Sequence, residues 1–212
     1  MVKNLVNDIM NHHNGHLSTG FLGVDAMAQV LPEYGAADVL YTVVTQKTFP
    51  SWGYMISKNA TTVWETWDGI SLSYNMKLLC GIDKFFYQAL AGINLTAPGY
   101  RQFMIKPCIV GDLTFVKAKI KTLYGPIEID WEKGDKSFKM KVLIPNNTTA
   151  QVSVPKVGLD DVKVEELGKV VWENGSFVAG NAGIYEGTES DDYIIFEVGS
   201  GNYLFQLSGQ TQ

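Results

Sequence analysis

Between residues 94 and 101 the hydrophobic period of this chain changes, and that change limits what it can fold into more than any other feature. Up to this point apolar residues recur at helical spacing. Beyond Pro98-Gly99 they alternate with polar ones, the period of a half-buried strand. Strands are predicted at 103–106, 113–123, 127–132, 137–144, 149–154, 162–166, 169–172, 193–198 and 202–207. Turns are expected at Lys133-Gly134-Asp135, Pro145-Asn146-Asn147 and Gly199-Ser200-Gly201. So many short strands joined by tight turns form an antiparallel β-sandwich. Lys117, Lys119 and Lys121 alternate with Ala118, Ile120 and Thr122, which reads as a strand with one wet face, the charge row being a solvated face and not a binding patch. Trp131, Trp172 and Tyr124 read as sandwich core, the other reading being a sugar-binding surface.

The first part reads as helices. Val2, Leu5, Val6, Ile9 and Met10 mark a helix over 2–13, ended by Asn14-Gly15. Further helices are predicted over 25–34, shortened or kinked by Pro32, over 36–46 with Asp38 in the first turn, and over 74–91 capped by Ser73. Short connections between helices of similar length imply antiparallel hairpins. The expected fold is therefore α+β in two units, helical hairpins over 1–97 and the sandwich over 98–212. His12, His13 and His16 cluster after the first helix, but His12 and His13 diverge on a helix, so no metal site is expected. Gly-His-Leu-Ser-Thr-Gly at 15–20 lacks the Gly-Lys-Ser/Thr of a phosphate loop, and no cofactor is expected.

The chemistry is placed at 49–68, which holds three of the five tryptophans. Pro50 and Gly53 argue against helix there, and Thr61, Thr62 and Val63 favour extended backbone. In an extended segment Glu65 and Trp67 share one face, Trp64 and Thr66 the other. An indole offers a flat apolar surface to a sugar ring, and a carboxylate beside it can take a proton from water. The alternative is that the tryptophans are core and Glu65 satisfies a local backbone donor.

Three ordered motifs carry a resemblance: Gly-His-Leu-Ser-Thr-Gly-Phe-Leu-Gly at 15–23, Phe-Pro-Ser-Trp-Gly-Tyr-Met at 49–55 and Ala-Thr-Thr-Val-Trp-Glu-Thr-Trp-Asp at 60–68. They resemble the C-terminal part of the bacterial α-L-rhamnosidases of glycoside hydrolase family 78. The likeness continues through Lys-Phe-Phe-Tyr-Gln-Ala-Leu-Ala-Gly-Ile at 84–93, Ala-Pro-Gly-Tyr at 97–100 and the β-rich tail. It implies the last part of an (α/α)6 toroid followed by a β-sandwich, and inversion at the anomeric carbon. By the same resemblance Glu65 is the general base, and Trp52, Trp64, Trp67, His16 and Met76 belong to the substrate site. Met76 marks a departure, since the family often has Asn-His where this chain has Asn75-Met76. The loop from Gly69 to Ser73 is also short for the family. The family's partner acid lies upstream in an acidic and arginine-bearing motif that this chain lacks, and Asp68 reads as paired locally.

A net charge of −5 with scattered lysines argues against nucleic acid and an anionic membrane surface, and no apolar stretch is long enough to span a bilayer. No secretory leader pattern opens the sequence, and for a fragment that leaves cytoplasmic and exported locations both open. Cys80 and Cys108 read as buried thiols. The expected partner is a rhamnose-containing glycoside or polysaccharide, with self-association through an exposed helix face. Two functions stand: a fragment of an inverting α-L-rhamnosidase, and a non-catalytic carbohydrate-binding or structural module derived from one.

Overall fold

The computed structural model describes residues 2–70 and 73–211. It divides into two compact units, Met1–Phe86 and Tyr87–Gln212.

The first unit is helical. Helix α1 (Val2–Asn7) continues as a wider π turn, Asp8–His12, and stops where Asn14 and Gly15 take positive φ. Helix α2 (Phe21–Glu33) starts four residues before its predicted start and keeps Pro32 inside its last turn, where the missing N–H sacrifices one helical bond. Helix α3 (Ala37–Val44) follows a short turn and has Asp38 in its first turn. Val24, Met27, Ala28 and Leu31 of α2 and Leu40 and Val43 of α3 are buried.

Two expectations fail here for identifiable reasons. Residues 49–68 are not all loop: α4 (Trp52–Ser57) forms after Ser51, whose hydroxyl accepts from the Tyr54 N–H at 2.9 Å. Gly53 does not break it. A Cβ at Gly53 would lie 2.2 Å from the Gln46 carbonyl oxygen, so glycine lets α4 lie against that backbone. The long α-helix predicted over 74–91 is instead a 3₁₀ segment, Lys77–Ile82, followed by a π segment, Phe85–Leu90. Ser73 does not cap it, because residues 73–76 are paired elsewhere, and Met76 is extended (φ −109°, ψ 102°). Against α2 the 3₁₀ segment packs closely: a Cβ at Gly81 would meet Asp25, whose carboxylate holds the Lys84 ammonium at 2.7 and 2.8 Å.

The second unit is a two-sheet sandwich. One sheet has the order β1 (Ile93–Leu95), β2 (Gln102–Ile105), β6 (Thr149–Pro155), β11 (Tyr193–Val198), β10 (Ile184–Glu189). The other runs β3 (Phe115–Thr122), β4 (Gly125–Lys133), β5 (Ser137–Ile144), β12 (Gly201–Thr211), β7 (Leu159–Glu166), β8 (Lys169–Glu173), β9 (Ser176–Phe177). All pairings are antiparallel except β2 with β6. The connection between those two passes through β3, β4 and β5 of the other sheet, which provides the long return that a parallel pair needs.

Inward residues of both sheets, among them Phe103, Ile105, Ile127, Met140, Val152, Phe196 and Phe205, form one core. Trp131 and Trp172 belong to it, and the Trp131 indole donates to the Leu90 carbonyl at 2.8 Å. Tyr124 does not: it is exposed, in the turn between β3 and β4. Cys80 and Cys108 are half-buried rather than buried. Among the described residues no helix is long and apolar enough to cross a membrane.

Candidate functional site

Residues 60–70 do not alternate as a strand. Only the first few pair: Glu65 N donates to Ser73 O at 3.1 Å and Met76 N to Val63 O at 2.8 Å, while the Thr62 hydroxyl donates to Tyr74 O. After Glu65 the chain turns, with Gly69 N bonded to Thr66 O at 3.3 Å. The pairing closes a loop on itself, of which residues 71 and 72 of the short Gly69-to-Ser73 connection lie outside the described residues.

This turn separates the tryptophans. Trp67 packs edge-on against Trp52, ring centroids 5.2 Å apart at 90°, and its N–H donates to Thr19 O at 3.2 Å. The 15–20 loop, the start of α4 and the Trp67 turn therefore meet. Trp64 packs instead against Tyr74 at 6.0 Å, and lies over Gly69, where a Cβ would come within 2.6 Å of the indole. The Tyr74 hydroxyl donates to Gly69 O at 3.1 Å and closes that side.

Glu65 is half-buried, and its Oε2 accepts from the Ser73 N–H at 3.1 Å. Asp68 is engaged nearby in sequence: its Oδ1 accepts from the Thr66 hydroxyl at 2.7 Å and the Ile70 N–H at 3.0 Å. Those two bonds, the hydroxyl first, hold its carboxyl below the usual carboxylate range. Such a group is ionised at neutral pH and a poor proton donor.

The remaining expected residues stand apart. His16 Nδ1 faces the Asn14 and His13 carbonyls at 2.9 and 3.2 Å, which in the neutral ring fixes the proton there and leaves Nε2 to accept from the Thr48 hydroxyl at 2.7 Å. Met76 is half-buried, and its backbone N–H is what holds it to the 60–65 stretch, through Val63 O. The Trp52 indole N–H is buried without a hydrogen-bond partner among the described residues. Ser73, Tyr74 and Thr19 shape the site; the sequence reading gave none of them a part in it, taking Ser73 as a helix cap. Pairing across the seven-residue loop 66–72 leaves no periodic signal, although the Trp64–Tyr74 spacing around Gly69 could have suggested a closed loop.

Comparison with known proteins gives this arrangement a class. Residues 1–90 match the bacterial alpha-L-rhamnosidase 6 hairpin glycosidase domain, and residues 92–169 match the bacterial alpha-L-rhamnosidase C-terminal domain. An alpha-L-rhamnosidase of Streptomyces avermitilis is 35% identical over 202 residues, 91% of this chain and 18% of that protein. One from Formosa agariphila is 33% identical over 162 residues, 72% of this chain and again 18% of the relative. Among solved structures, an alpha-L-rhamnosidase from Dictyoglumus thermophilum superposes with a TM-score of 0.89 at 34% identity, covering 98% of this chain and 23% of that one. The Streptomyces avermitilis enzyme complexed with L-rhamnose gives 0.77 at 34% identity, covering 93% and 19%. The class is thus a six-hairpin glycosidase helical part followed by its β-sandwich. The chain belongs to the bacterial α-L-rhamnosidase family and corresponds to a C-terminal part of it, spanning less than a quarter of the length of these relatives.

Proposed function

We propose that this chain is the C-terminal part of an inverting α-L-rhamnosidase that releases terminal α-L-rhamnose from glycosides or polysaccharides, with Glu65 as general base. Residues 1–97 are on this reading the end of the (α/α)6 catalytic domain and 98–212 the closing sandwich. The observation that carries the proposal is the Glu65 carboxylate, oriented by the Ser73 N–H at 3.1 Å at the head of the Trp64 and Trp67 turn; the resemblance of residues 60–68 to the family supports the role.

In an inverting hydrolysis one carboxyl protonates the leaving oxygen, and a second, about 6.5–9.5 Å away, activates water on the opposite face. Glu65 takes the second role. Asp68 is unsuited to the first, held ionised by Thr66 and Ile70. The acid then comes from residues outside this chain. Trp52 and Trp67, both half-buried, offer ring surface to the sugar. Trp64, His16 and Met76 complete the proposed substrate set, His16 through its ring carbons because its nitrogens are engaged.

The engagement of Asp68 also favours a second reading, a non-catalytic carbohydrate-binding or structural module. Hydrolysis of an aryl α-L-rhamnoside, compared between this chain, its Glu65→Gln variant and both joined to the upstream sequence, tests the pair. The first reading expects turnover only with the upstream part and a large loss on Glu65→Gln. No turnover in the joined protein supports the second.

A further inference from the structure

The outer face of the seven-stranded sheet forms a groove that no part of the rhamnosidase reading uses. Two adjoining hollows of about 440 and 380 Å³ share Lys117, Asp130 and Lys141, and a third of about 260 Å³ adjoins at Leu143 and Asn202. Strand register fixes the lining in rows, Lys117 opposite Asp130 opposite Lys141, and Lys119 opposite Glu128 opposite Leu143 and Asn202. Exposed aromatics stand at the two ends, Phe115 (58% exposed) in one hollow and Tyr124 (38%) in another.

The charges are not balanced. Lys117, Lys119, Lys121, Lys139 and Lys141 face Glu128, Asp130 and Glu132, an excess of two positive charges on a protein whose net charge is −5. Lys117 pairs with Asp130 at 3.0 Å and Lys119 with Glu128 at 2.5 Å. The β3 lysines have a structural explanation besides, because β3 is an edge strand and lysines there discourage pairing with another chain. That explanation does not extend to β5, which lies between β4 and β12. Yet β5 presents Lys139 and Lys141 to solvent, and neither has an ion-pair partner among the described residues.

The geometry points to a binding site for an acidic polysaccharide strand, a glycan whose sugar rings carry carboxylates. Two free ammonium groups on alternate residues of one strand stand about 7 Å apart and receive carboxylates. The β4 acids and Asn202 beside them accept or exchange hydrogen bonds with hydroxyls, and Phe115 and Tyr124 offer flat faces to sugar rings. A DNA duplex suits the face poorly, because it lacks the ring hydroxyls that the β4 carboxylates and Asn202 would hydrogen-bond and stacks its bases inside, away from Phe115 and Tyr124. Binding here is independent of Glu65 and of any rhamnoside hydrolysis, so either reading can fail alone.

The test is affinity electrophoresis of the 212-residue chain in gels holding polygalacturonate, dextran or no polymer, with titration calorimetry of polygalacturonate at low and high salt. The expected result is retardation by polygalacturonate and not by dextran, weakened by salt. Lys139→Gln with Lys141→Gln should reduce affinity at least fivefold with an unchanged circular dichroism spectrum, and Lys163→Gln, whose side chain pairs with Glu165, should leave it unaltered. Absent retardation, equal retardation by dextran, equal binding of a DNA duplex, or full affinity in the folded double variant would each overturn the proposal.

Discussion

Glu65 and its tryptophans were legible in the sequence because a lone carboxylate among indoles is chemically distinctive wherever it falls. Their arrangement was not, because alternation assumes a strand and the chain turns just after Glu65. The Ser73 N–H needs only an acceptor, and glutamine supplies one, so Glu65→Gln should change unfolding free energy by less than about 1 kcal/mol in urea titration and serve as a clean probe of chemistry. Gly69 is more demanding: its φ of +76° and the Trp64 ring above it both exclude a side chain. Gly69→Ala should cost at least about 1–2 kcal/mol and shift tryptophan emission. Tyr193 offers a pH-dependent test. Burial first, then the charges of Cys108 and Asp192, raise its phenol far above the ordinary value. The folded chain therefore keeps that proton where the unfolded chain has lost it. The corresponding stability is fully present below pH ~10 and declines as pH rises beyond it. Tyr193→Phe should lower Tm at neutral pH, through loss of the 3.1 Å bond to Pro107 O, and flatten part of the alkaline decline.

At the scale of elements, the strands were read well and the helices less so, for a physical reason. β5 and β11 have the predicted bounds because strict alternation of buried and exposed residues can be satisfied in one way only. β10 was missed because Tyr185, Glu186, Gly187 and Thr188 alternate poorly, Gly187 being kept small by the Phe177 ring. The helical stretch after Met76 was misread because its start is set by the pairing of residues 73–76 with 62–65 and its packing by α2, neither of which is local. Helix α4 was missed because Gly53 looks like a breaker when its neighbour at Gln46 is unseen. These causes make opposite predictions from propensity. Alanine is the better helix former, yet Gly53→Ala should destabilise by about 1–3 kcal/mol through overpacking against the Gln46 carbonyl. Ser51→Ala should cost about 1 kcal/mol, since it leaves the Tyr54 N–H without its buried cap. Denaturant unfolding followed by circular dichroism checks both.

At the scale of the molecule, the helical unit exposes several large apolar side chains. Leu22, Ile56 and Ile70 are 87%, 70% and 84% exposed, and Tyr34 66%. A groove of about 460 Å³ runs between α1 and the turn joining α2 to α3, lined by Val2, Val6, Met10, Tyr34 and Val39 among others. Exposed leucines taken singly are ordinary, but an open groove lined by Val2, Val6, Met10, Tyr34 and Val39 resembles a surface that a neighbour would cover. The relatives are four to five times longer, and in this chain alone the nearest available apolar surface is a second copy. Self-association through this face should therefore appear as concentration-dependent sedimentation of the purified chain, and Met10→Lys with Tyr34→Lys should shift it to monomer without altering the β-sheet signal. Both positions are exposed, Met10 at 37%, so the substitutions remove apolar surface without opening the core. Joining the upstream sequence should abolish the association as well, by covering the same face. A chain that sediments as a monomer at every concentration would show that these side chains are tolerated by water and that the groove needs no occupant.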